Sequence, residues 1–344
     1  MNKKFEAYKN KFVIKATENG YSVENINKCL AYAEPLISRD LPVIFNTSHF
    51  CSLVGYNKSY IKKAALYSKS FYRSFPIKKK DGGSRTISEP LPSMKEIQDW
   101  ILQEILYNVK VSRYAKAYIH NRNIKDHVKY HTKSKKILTM DIKDFFGSIK
   151  FELVQKMFED IGYSAIISNL LTKLCFIENK LPQGAPTSPY ISNIILNGFD
   201  DAMSIYCREN DIKYTRYADD LAFSGEIKTT ELVKKVRQEL NKLGLQIKGT
   251  KTKLMKQNHQ QIISGIIVNQ IPQVPKKERN DIRNIMFYIK KYGIQSHMEK
   301  TNQNKNNYLE HLLGKINYIL SLNSADKEFI EYKQILKGLK NASR

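Results

Sequence analysis

The sequence is poor in cysteine and has no long apolar run. Its 344 residues include four cysteines, and none of them stands in a Cys-x-x-Cys pair or beside a paired-histidine pattern. The common zinc spacings are therefore absent, and free thiols in a reducing compartment are expected. No segment approaches the roughly eighteen apolar residues of a membrane helix, and the first residues, MNKKFEAYKN, lack the apolar segment of a signal peptide. We expect a soluble cytoplasmic protein with no membrane partner.

Acidic residues are scarce relative to basic ones. The chain has 57 Lys and Arg against 33 Asp and Glu, which gives a formal net charge of +24. The basic excess is spread along most of the chain rather than gathered in one tail, and this distribution predicts a long surface for a polyanion such as nucleic acid. The 21 tyrosines and 15 phenylalanines add rings that can stack on bases, although most of them are expected to serve the core.

Two adjacent aspartates, Asp219 and Asp220, lie at the centre of the stretch IKYTRYADDLAFS, residues 212–224. The alternation on both sides predicts a β-hairpin with the two carboxylates at its tip. Like charges this close repel each other unless a cation lies between them, and Mg²⁺ prefers such oxygen ligands. Taken alone, the pair is explained as well or better by a solvated turn, because turns favour aspartate.

A third carboxylate, Asp141, ends the short apolar strand predicted at 137–140. An acid at the end of a buried strand is costly unless it is paired or binds a metal. The segment LPQGAPTSPYISN, residues 181–193, has no periodicity and predicts an ordered, turn-rich loop that leads into a helix. Since this loop lies between the carboxylate segments, we expect it to line a site.

The other segments predict a mixture of helix and strand, which is the α+β class. Residues 1–70 show the three-and-four apolar spacing of helices, and two more amphipathic helices are predicted after Pro275. Residues 71–90 predict two strands joined by a glycine turn, with lysines 78–80 across the turn from Arg85. Such a basic hairpin could grip a triphosphate, or it could be a solvated loop.

In this order, the segments resemble a reverse transcriptase of the retron type, within the wider family that includes group II intron enzymes. The resemblance extends from about Tyr72 to Asn269, with a further segment in the thumb. YADD resembles the catalytic box, DIKDFF the first carboxylate box, LPQGAPTSP the template and nucleotide loop, GTKT the lysine box, ISGIIVN the primer grip, and LLGKINYIL part of the thumb. One box would be a weak signal, but five boxes in order are highly specific.

The resemblance implies a right-hand polymerase of the α+β class with an N-terminal helical layer. The implied domains are an N-terminal helical region (1–70), fingers (71–136 and 150–190), a palm (137–149 and 191–270) and a helical thumb (271–344). We expect no RNase H, maturase or endonuclease domain after the thumb.

The resemblance also implies a role for individual residues. Asp141, Asp219 and Asp220 would be the catalytic carboxylates, and with the backbone carbonyl of Ile142 they would bind two Mg²⁺ ions. The residues implied for the incoming deoxynucleoside triphosphate are Lys79, Arg85, Phe146, Gln183, Gly184 and Lys251, and those implied for the primer grip are Ser264 and Gly265. In the family, an aromatic ring at the position of Phe146 excludes a ribose 2′-hydroxyl, and a lysine at the position of Lys251 lies near the leaving phosphate.

Two elements depart from the retron pattern. Where retron enzymes carry Asn-Ala-x-x-His before the first carboxylate box, this chain has His-Val-Lys-Tyr-His at residues 127–131, so only the last histidine is kept. Where they carry Val-Thr-Gly near the primer grip, this chain has Ile263-Ser264-Gly265. The first departure leaves open a defence reverse transcriptase outside the retrons.

The expected function is an RNA-directed DNA polymerase that copies a structured non-coding RNA into single-stranded DNA, in an anti-phage retron system with an effector protein. One alternative is a non-retron defence enzyme that makes untemplated or protein-primed DNA. An RNA-dependent RNA polymerase is opposed by Phe146. An idle RNA-binding scaffold is opposed by the three carboxylates, which such a scaffold does not need.

Overall fold

The structure is a computed structural model that describes residues 3–78, 82–302 and 307–342. The chain forms two compact units, each built from several segments. The first unit contains Met1–Ile119, Ile142–Ile205 and Val233–Lys248, and the second contains His120–Asp141, Tyr206–Leu232 and Gly249–Arg344. Both units contain helices and strands, which confirms the predicted α+β class.

The first segment of the chain is helical, as its apolar spacing predicts. Its elements are α1 (Lys3–Glu18), α2 (Val23–Ile37), α3 (Thr47–Val54), α4 (Lys58–Leu66) and a 3-10 turn (Ser68–Phe71). Side-chain oxygens of Ser22, Asn46 and Asn57 accept backbone N–H groups at the starts of α2, α3 and α4. Pro35 lies inside the last turn of α2.

The predicted basic hairpin is present. β1 (Tyr72–Lys78) and β2 (Ser84–Pro90) pair antiparallel, with Tyr72 opposite Pro90 and Lys78 opposite Ser84. α5 (Pro92–Trp100) then continues through a π-helical turn (Ile101–Ile105) and a 3-10 turn (Leu106–Asn108). The buried residues of this segment include Met94, Ile97, Ile101 and Ile105, which form its apolar face.

The middle of the chain alternates short helices with the strands of one sheet. In order, its elements are α6 (Ile124–Val128), a 3-10 turn (Lys129–His131), β3 (Lys136–Asp141), α7 (Phe145–Ser148), α8 (Phe151–Ile161), α9 (Ala165–Cys175), α10 (Ser188–Ile195), α11 (Asn197–Glu209), β4 (Ile212–Tyr217), β5 (Asp220–Gly225), α12 (Thr229–Asn241), a 3-10 turn (Gly249–Lys251), β6 (Lys253–Lys256), β7 (Ile262–Ile263) and β8 (Ile266–Ile267).

The second unit contains an antiparallel sheet with strand order β4-β5-β3-β6. Its register places Thr215 opposite Ala222, and Asp141 opposite Asp220. β7 and β8 form a separate short hairpin. β4 and β6 are the edge strands of the four-stranded sheet.

The C-terminal helices share a core with one face of this sheet. They are α13 (Lys276–Lys300), which is interrupted at Gly293, α14 (Tyr308–Leu322) and α15 (Lys327–Ala342). The shared apolar cluster includes Ile137, Ala222, Ile263, Met286, Ile316 and Phe329. The sequence predicted two helices here, and the third, α15, was missed although Phe329 and Leu336 are buried at helical spacing.

Ion pairs join the start of α13 to the start of α15. Arg279 donates to Asp326 at 2.5 Å, and its guanidinium carbon lies 4.5 Å from the centroid of the Phe329 ring. Arg283 Nε lies 2.7 Å from Glu328. Within the described ranges, no helix is both long enough and apolar enough to cross a bilayer. The division into fingers, palm and thumb stays a prediction.

Candidate active site

The predicted acids of the second unit lie together at one end of its sheet. Asp141 is the last residue of β3 and is paired in register with Asp220, the first residue of β5. Residues paired in this way point to the same face of an antiparallel sheet, so their carboxylates are neighbours. Asp141 is only 6% exposed. Asp219 precedes Asp220 in the turn, and the structure therefore brings together all three carboxylates.

The turn that carries Asp219 is a two-residue hairpin loop. Tyr217 pairs with Asp220 at the end of the ladder, which leaves Ala218 and Asp219 as the loop. Ala218 has a φ of +56°, and a positive φ at the first loop position suits the twist of a hairpin but costs a non-glycine residue roughly 1–2 kcal/mol. The buried Arg216 donates from Nη1 to the Ala218 carbonyl at 3.2 Å, and this bond supports the turn.

A lysine neutralises one of the acids. Lys251 ends the 3-10 turn before β6, and because β6 pairs with β3 its side chain reaches the end of β3. Its Nζ lies 2.5 Å from Asp141 Oδ2. The hydrogen bond to Asp141 raises the pKa of Lys251 above its ordinary value, so this side chain is an ammonium ion. The sequence placed Lys251 near a leaving phosphate, and the structure adds its contact with Asp141.

A hydroxyl group holds a second acid. Ser264 and Gly265 form the loop between β7 and β8, with φ values of +47° and +84°. Positive φ at both positions is the requirement of a type I′ hairpin turn, in which glycine is favoured. Ser264 Oγ donates to Asp220 Oδ2 at 2.8 Å. The structure thus places the first of the two predicted primer-grip residues on a carboxylate, and their contact with a primer stays a prediction.

The acids are held in a state of high electrostatic energy. Desolvation, followed by the charges of Asp220 and Asp141, raises the pKa of Asp219 from 3.8 to about 6. Desolvation also raises the pKa of Asp220, although the hydrogen bond from Ser264 offsets part of that shift. One ammonium group, that of Lys251, faces three carboxyl groups. The cluster therefore has a deficit of positive charge.

This donor set matches a divalent cation in its chemistry. Carboxylate oxygens are hard ligands of the kind that Mg²⁺ prefers, and the charge deficit favours a cation. Among the residues that the structure describes, no group of three or more His, Cys, Asp or Glu side chains is arranged so that it could hold a metal ion. Part of the reason is visible, because Asp141 is engaged by Lys251 and Asp220 by Ser264.

The predicted nucleotide residues that the structure describes, other than Lys251, lie in the first unit. Arg85 is exposed on β2. The backbone N–H of Ser88, on the same strand, donates to the Gln183 carbonyl at 2.8 Å. Gly184 has a φ of +131°, and a Cβ there would lie 2.7 Å from the Ser88 carbonyl oxygen. Only glycine permits this close approach of the loop to β2.

Two further side chains of the first unit bear on the prediction. The side-chain oxygen Oε1 of Gln183 is buried without a hydrogen-bond partner in the described part of the chain. Phe146 is half-buried, with its ring centroid 5.2 Å from that of Phe145 and 6.3 Å from that of Tyr118. Phe145 is 5% exposed, which confirms it as the core member of the pair.

The structure adds less about two of the predicted residues. Ile142 is buried, and its backbone forms an isolated bridge with Ile247. Its carbonyl remains a predicted metal ligand. Lys79 lies outside the described residues.

A set of buried polar side chains behind the β4–β5 hairpin was not predicted from the sequence. His131 contacts Ser224 and Thr215, and His127 contacts Thr215. The one available signal was the pair of histidines four residues apart, which can lie on one face of a helical turn. The sequence could not show which strand residues they reach.

We expect the Asp219→Asn substitution to stabilise the metal-free protein at pH 8. A carboxyl group with a folded-state pKa above its unfolded value favours folding below the unfolded pKa, and this contribution is lost as the pH rises through the folded pKa. The contribution of Asp219 to the free energy of unfolding is therefore lost as the pH rises from 3.8 to about 6. Above that pH range, its negative charge opposes folding. The expected gain for the variant is about 2 kcal/mol at pH 8 and close to zero near pH 4, measured by thermal unfolding in EDTA.

The control variant for this experiment is Asp201→Asn, which alters an exposed acid on α11. We expect it to change the melting temperature little at either pH. Added Mg²⁺ should raise the melting temperature of the unmodified chain and have a smaller effect on Asp219→Asn. A loss of stability at both pH values in Asp219→Asn would contradict the electrostatic account.

Comparison with known proteins gives the family. The profile described as "Reverse transcriptase (RNA-dependent DNA polymerase)" matches residues 77–311, which is more than half of the chain. This range contains every site residue named above.

Curated relatives carry the same description. The chain is 30% identical over 267 residues to the retron Ec86 reverse transcriptase of Escherichia coli, a match that covers 75% of this chain and 79% of that protein. It is 37% identical over 163 residues to the retron Ec83 reverse transcriptase of Escherichia coli, covering 44% of this chain and 52% of that protein. With the retron Mx65 reverse transcriptase of Myxococcus xanthus the identity is 26% over 287 residues, covering 78% and 65%.

Solved structures show more distant likenesses. A foamy viral protease-reverse transcriptase in complex with double-stranded DNA matches with a TM-score of 0.43 and 16% identity, over 81% of this chain and 42% of that chain. Telomerase from Candida albicans matches with a TM-score of 0.45 and 11% identity, over 81% and 69%. The sequence matches are the ones that decide the family. The chain belongs to the reverse transcriptases of the retron type and is an RNA-directed DNA polymerase.

Proposed function

We propose that this chain copies a structured non-coding RNA into single-stranded DNA by two-metal nucleotidyl transfer, as the polymerase of an anti-phage retron. The observation that carries the proposal is the set of three carboxyl groups at one end of the sheet, of which Asp219 has a pKa of about 6. Protein folding alone gives no reason to concentrate like charges in this way. The proposed site binds deoxynucleoside triphosphates and the primer terminus.

The proposed ligands of two Mg²⁺ ions are Asp141, Asp219, Asp220 and the Ile142 carbonyl. When bound there, the ions supply the charge that lowers the pKa of the attacking primer hydroxyl and stabilises the leaving oxygen. The chain supplies a proton as well. Lys251 is an ammonium ion beside these acids, and we assign it as the proton donor to the leaving phosphate.

The first unit supplies the proposed nucleotide contacts. Arg85, together with Lys79, would neutralise the triphosphate, for which guanidinium and ammonium groups are suited. Gln183, whose buried Oε1 has no hydrogen-bond partner among the described residues, would belong with Gly184 to the loop that packs on the nucleotide. Phe146 would meet the sugar, because its ring is half-buried while Phe145 fills the core.

Priming from a 2′-hydroxyl of the RNA, the branched product, the effector protein and a cytoplasmic location complete the proposal. Their support is the resemblance to retron enzymes. The salt dependence of RNA binding should be steep, because a net charge of +24 favours contacts with phosphate rather than with bases.

The function is tested by sequencing the nucleic acid that copurifies with the chain expressed from its own gene neighbourhood. We expect a defined single-stranded DNA joined to a structured RNA, released by debranching enzyme and absent from Asp219→Asn. Asp201→Asn is again the control and should retain the product. DNA without a fixed template, or DNA linked to protein, would replace the proposal with the non-retron alternative. If no DNA copurifies with any form of the protein, the idle RNA-binding scaffold is the explanation that remains.

Sugar discrimination tests Phe146 separately. We expect Phe146→Ala to incorporate ribonucleotides at least about tenfold more readily relative to deoxynucleotides, because the ring no longer excludes the 2′-hydroxyl. Single-nucleotide extension with each triphosphate measures this ratio. Phe12→Ala, in an aromatic cluster of the N-terminal helices, should leave the ratio unchanged. A Phe146→Ala ratio equal to that of the unmodified chain would remove Phe146 from the sugar site.

Gly184 tests the nucleotide loop. In Gly184→Ala, the added Cβ would lie 2.7 Å from the Ser88 carbonyl, so the loop must move away from β2. We expect the KM for deoxynucleotides to rise at least about fivefold, since binding depends on a fixed loop position. Gly198→Ala is the matched control, because nothing lies within 4 Å of its added Cβ. Equal KM values in the two variants would show that the loop does not position the nucleotide.

A further inference from the structure

A buried network of polar side chains lies behind the hairpin that bears Asp219 and Asp220. His131 Nδ1 lies 2.7 Å from Ser224 Oγ, and His131 Nε2 lies 2.7 Å from Thr215 Oγ1. Ser224 and His131 are fully buried, and Thr215 is 3% exposed. Thr215 belongs to β4 and Ser224 to β5, so a single imidazole ring joins the two strands of the catalytic hairpin.

A second histidine completes the network. The Thr215 hydroxyl also lies 2.8 Å from His127 Nδ1 and donates to the His127 carbonyl at 3.1 Å. The ring centroid of His127 lies 5.7 Å from that of Tyr217, the residue before the turn. The contacts therefore extend along β4 to the start of the loop.

The protons of the network can be counted. A hydroxyl group has one proton and two lone pairs, and Thr215 gives its proton to the His127 carbonyl. With that bond in place, Thr215 accepts from both rings, which corresponds to the tautomers that carry protons on His131 Nε2 and on His127 Nδ1. The neutral form of His131 leaves its Nδ1 as an acceptor for the Ser224 hydroxyl. Desolvation lowers the pKa of His131 to about 3, in agreement with this neutral form.

The network lies on the same face of the sheet as the acids. Alternate residues of a strand share a face, and so do directly paired residues. The register pairs Tyr217 with Asp220 and Lys213 with Ser224, so Thr215, Ser224 and Asp220 face one side. Asp141 faces that side too, through its pairing with Asp220. His131 therefore braces the face that presents two of the three acids.

The hairpin needs this support for two reasons. The carboxylates at its tip repel each other, and Ala218 stores backbone strain in the loop between the strands. Backbone ladders hold β4 to β5 and β5 to β3, but β4 is an edge strand with one strand partner. The side-chain bonds from residues 127–131 add a second restraint on β4 and tie it to β5.

We propose that His131 is a positioning residue for catalysis, which acts through Thr215 and Ser224 to hold the β4–β5 hairpin where Asp219 and Asp220 can work with Asp141. This inference rests on the proposed role of the three acids. It also gives a physical reason for the one histidine that the chain keeps from the retron element at residues 127–131.

The test compares two variants of one residue. His131→Phe fills the space of the imidazole but removes the hydrogen-bond partner of the Thr215 and Ser224 hydroxyls. The carboxamide of His131→Gln, in contrast, can both accept and donate a hydrogen bond. We expect His131→Phe to lower kcat for primer extension at least about tenfold, with the KM for deoxynucleotides within about twofold of the original, because misplaced acids slow the chemical step. His131→Gln should restore most of kcat.

A matched control separates positioning from stability. His297 is a buried histidine of the same unit that lies outside this network; it is 7% exposed and hydrogen-bonded to the Tyr308 hydroxyl at 2.9 Å. His297→Phe should lower the melting temperature and leave kcat unchanged. Hydrogen exchange adds a readout that does not depend on activity, since amides of residues 212–225 should exchange faster in His131→Phe than in His131→Gln, and not faster in His297→Phe.

Failure of the inference about His131 and failure of the proposed function give different experimental results. An unchanged kcat in folded His131→Phe, or equal losses in kcat for His131→Phe and His297→Phe, would overturn the inference. If His131→Phe does not fold, Ser224→Ala takes its place, with an expected fall in kcat and faster exchange of residues 212–225. If Asp219→Asn polymerises normally, the proposed function fails whatever His131 does.

Discussion

Repulsion between three carboxyl groups is the constraint on which the structure around this end of the four-stranded sheet depends. Asp141 and Asp220 face each other across a strand pair, and Asp219 stands beside them in a strained loop. Burial and mutual repulsion raise the pKa of Asp219 into the range of weakly acidic solutions. A sheet that places these groups together gives up stability, because each ionised carboxylate loses hydration and lies close to like charges.

The surrounding residues can be understood as restraints on that repulsion. Lys251 supplies a positive charge to Asp141, Ser264 donates a hydrogen bond to Asp220, and Arg216 supports the carbonyl of the loop. Each restraint comes from a different segment of the second unit. A substitution of Arg216 would therefore act on the acids without removing a proposed substrate contact.

The sequence was sufficient for the local features and insufficient for the distant ones. Alternation around residues 212–224 predicted the hairpin, because strand periodicity depends on neighbouring residues. The contacts of His131 with Thr215 and Ser224 join residues 84 and 93 positions apart, and no periodicity reveals such pairs. Likewise, the resemblance of ISGIIVN to a primer grip did not show that the Ser264 hydroxyl would reach Asp220. Helix α15 was missed for a different reason, since its apolar spacing was present and was overlooked.

Some of the basic residues lie on the edge strands of the sheet, where their charge can act without a bound phosphate. β4 and β6 form the two edges of the catalytic sheet, and each edge carries exposed lysines: Lys213 on β4, and Lys253 and Lys256 on β6. Unprotected edge strands can pair with strands of other chains, and lysine on an edge opposes such pairing through charge repulsion and desolvation. The lysines on both edges therefore oppose the pairing of this sheet with strands of other chains.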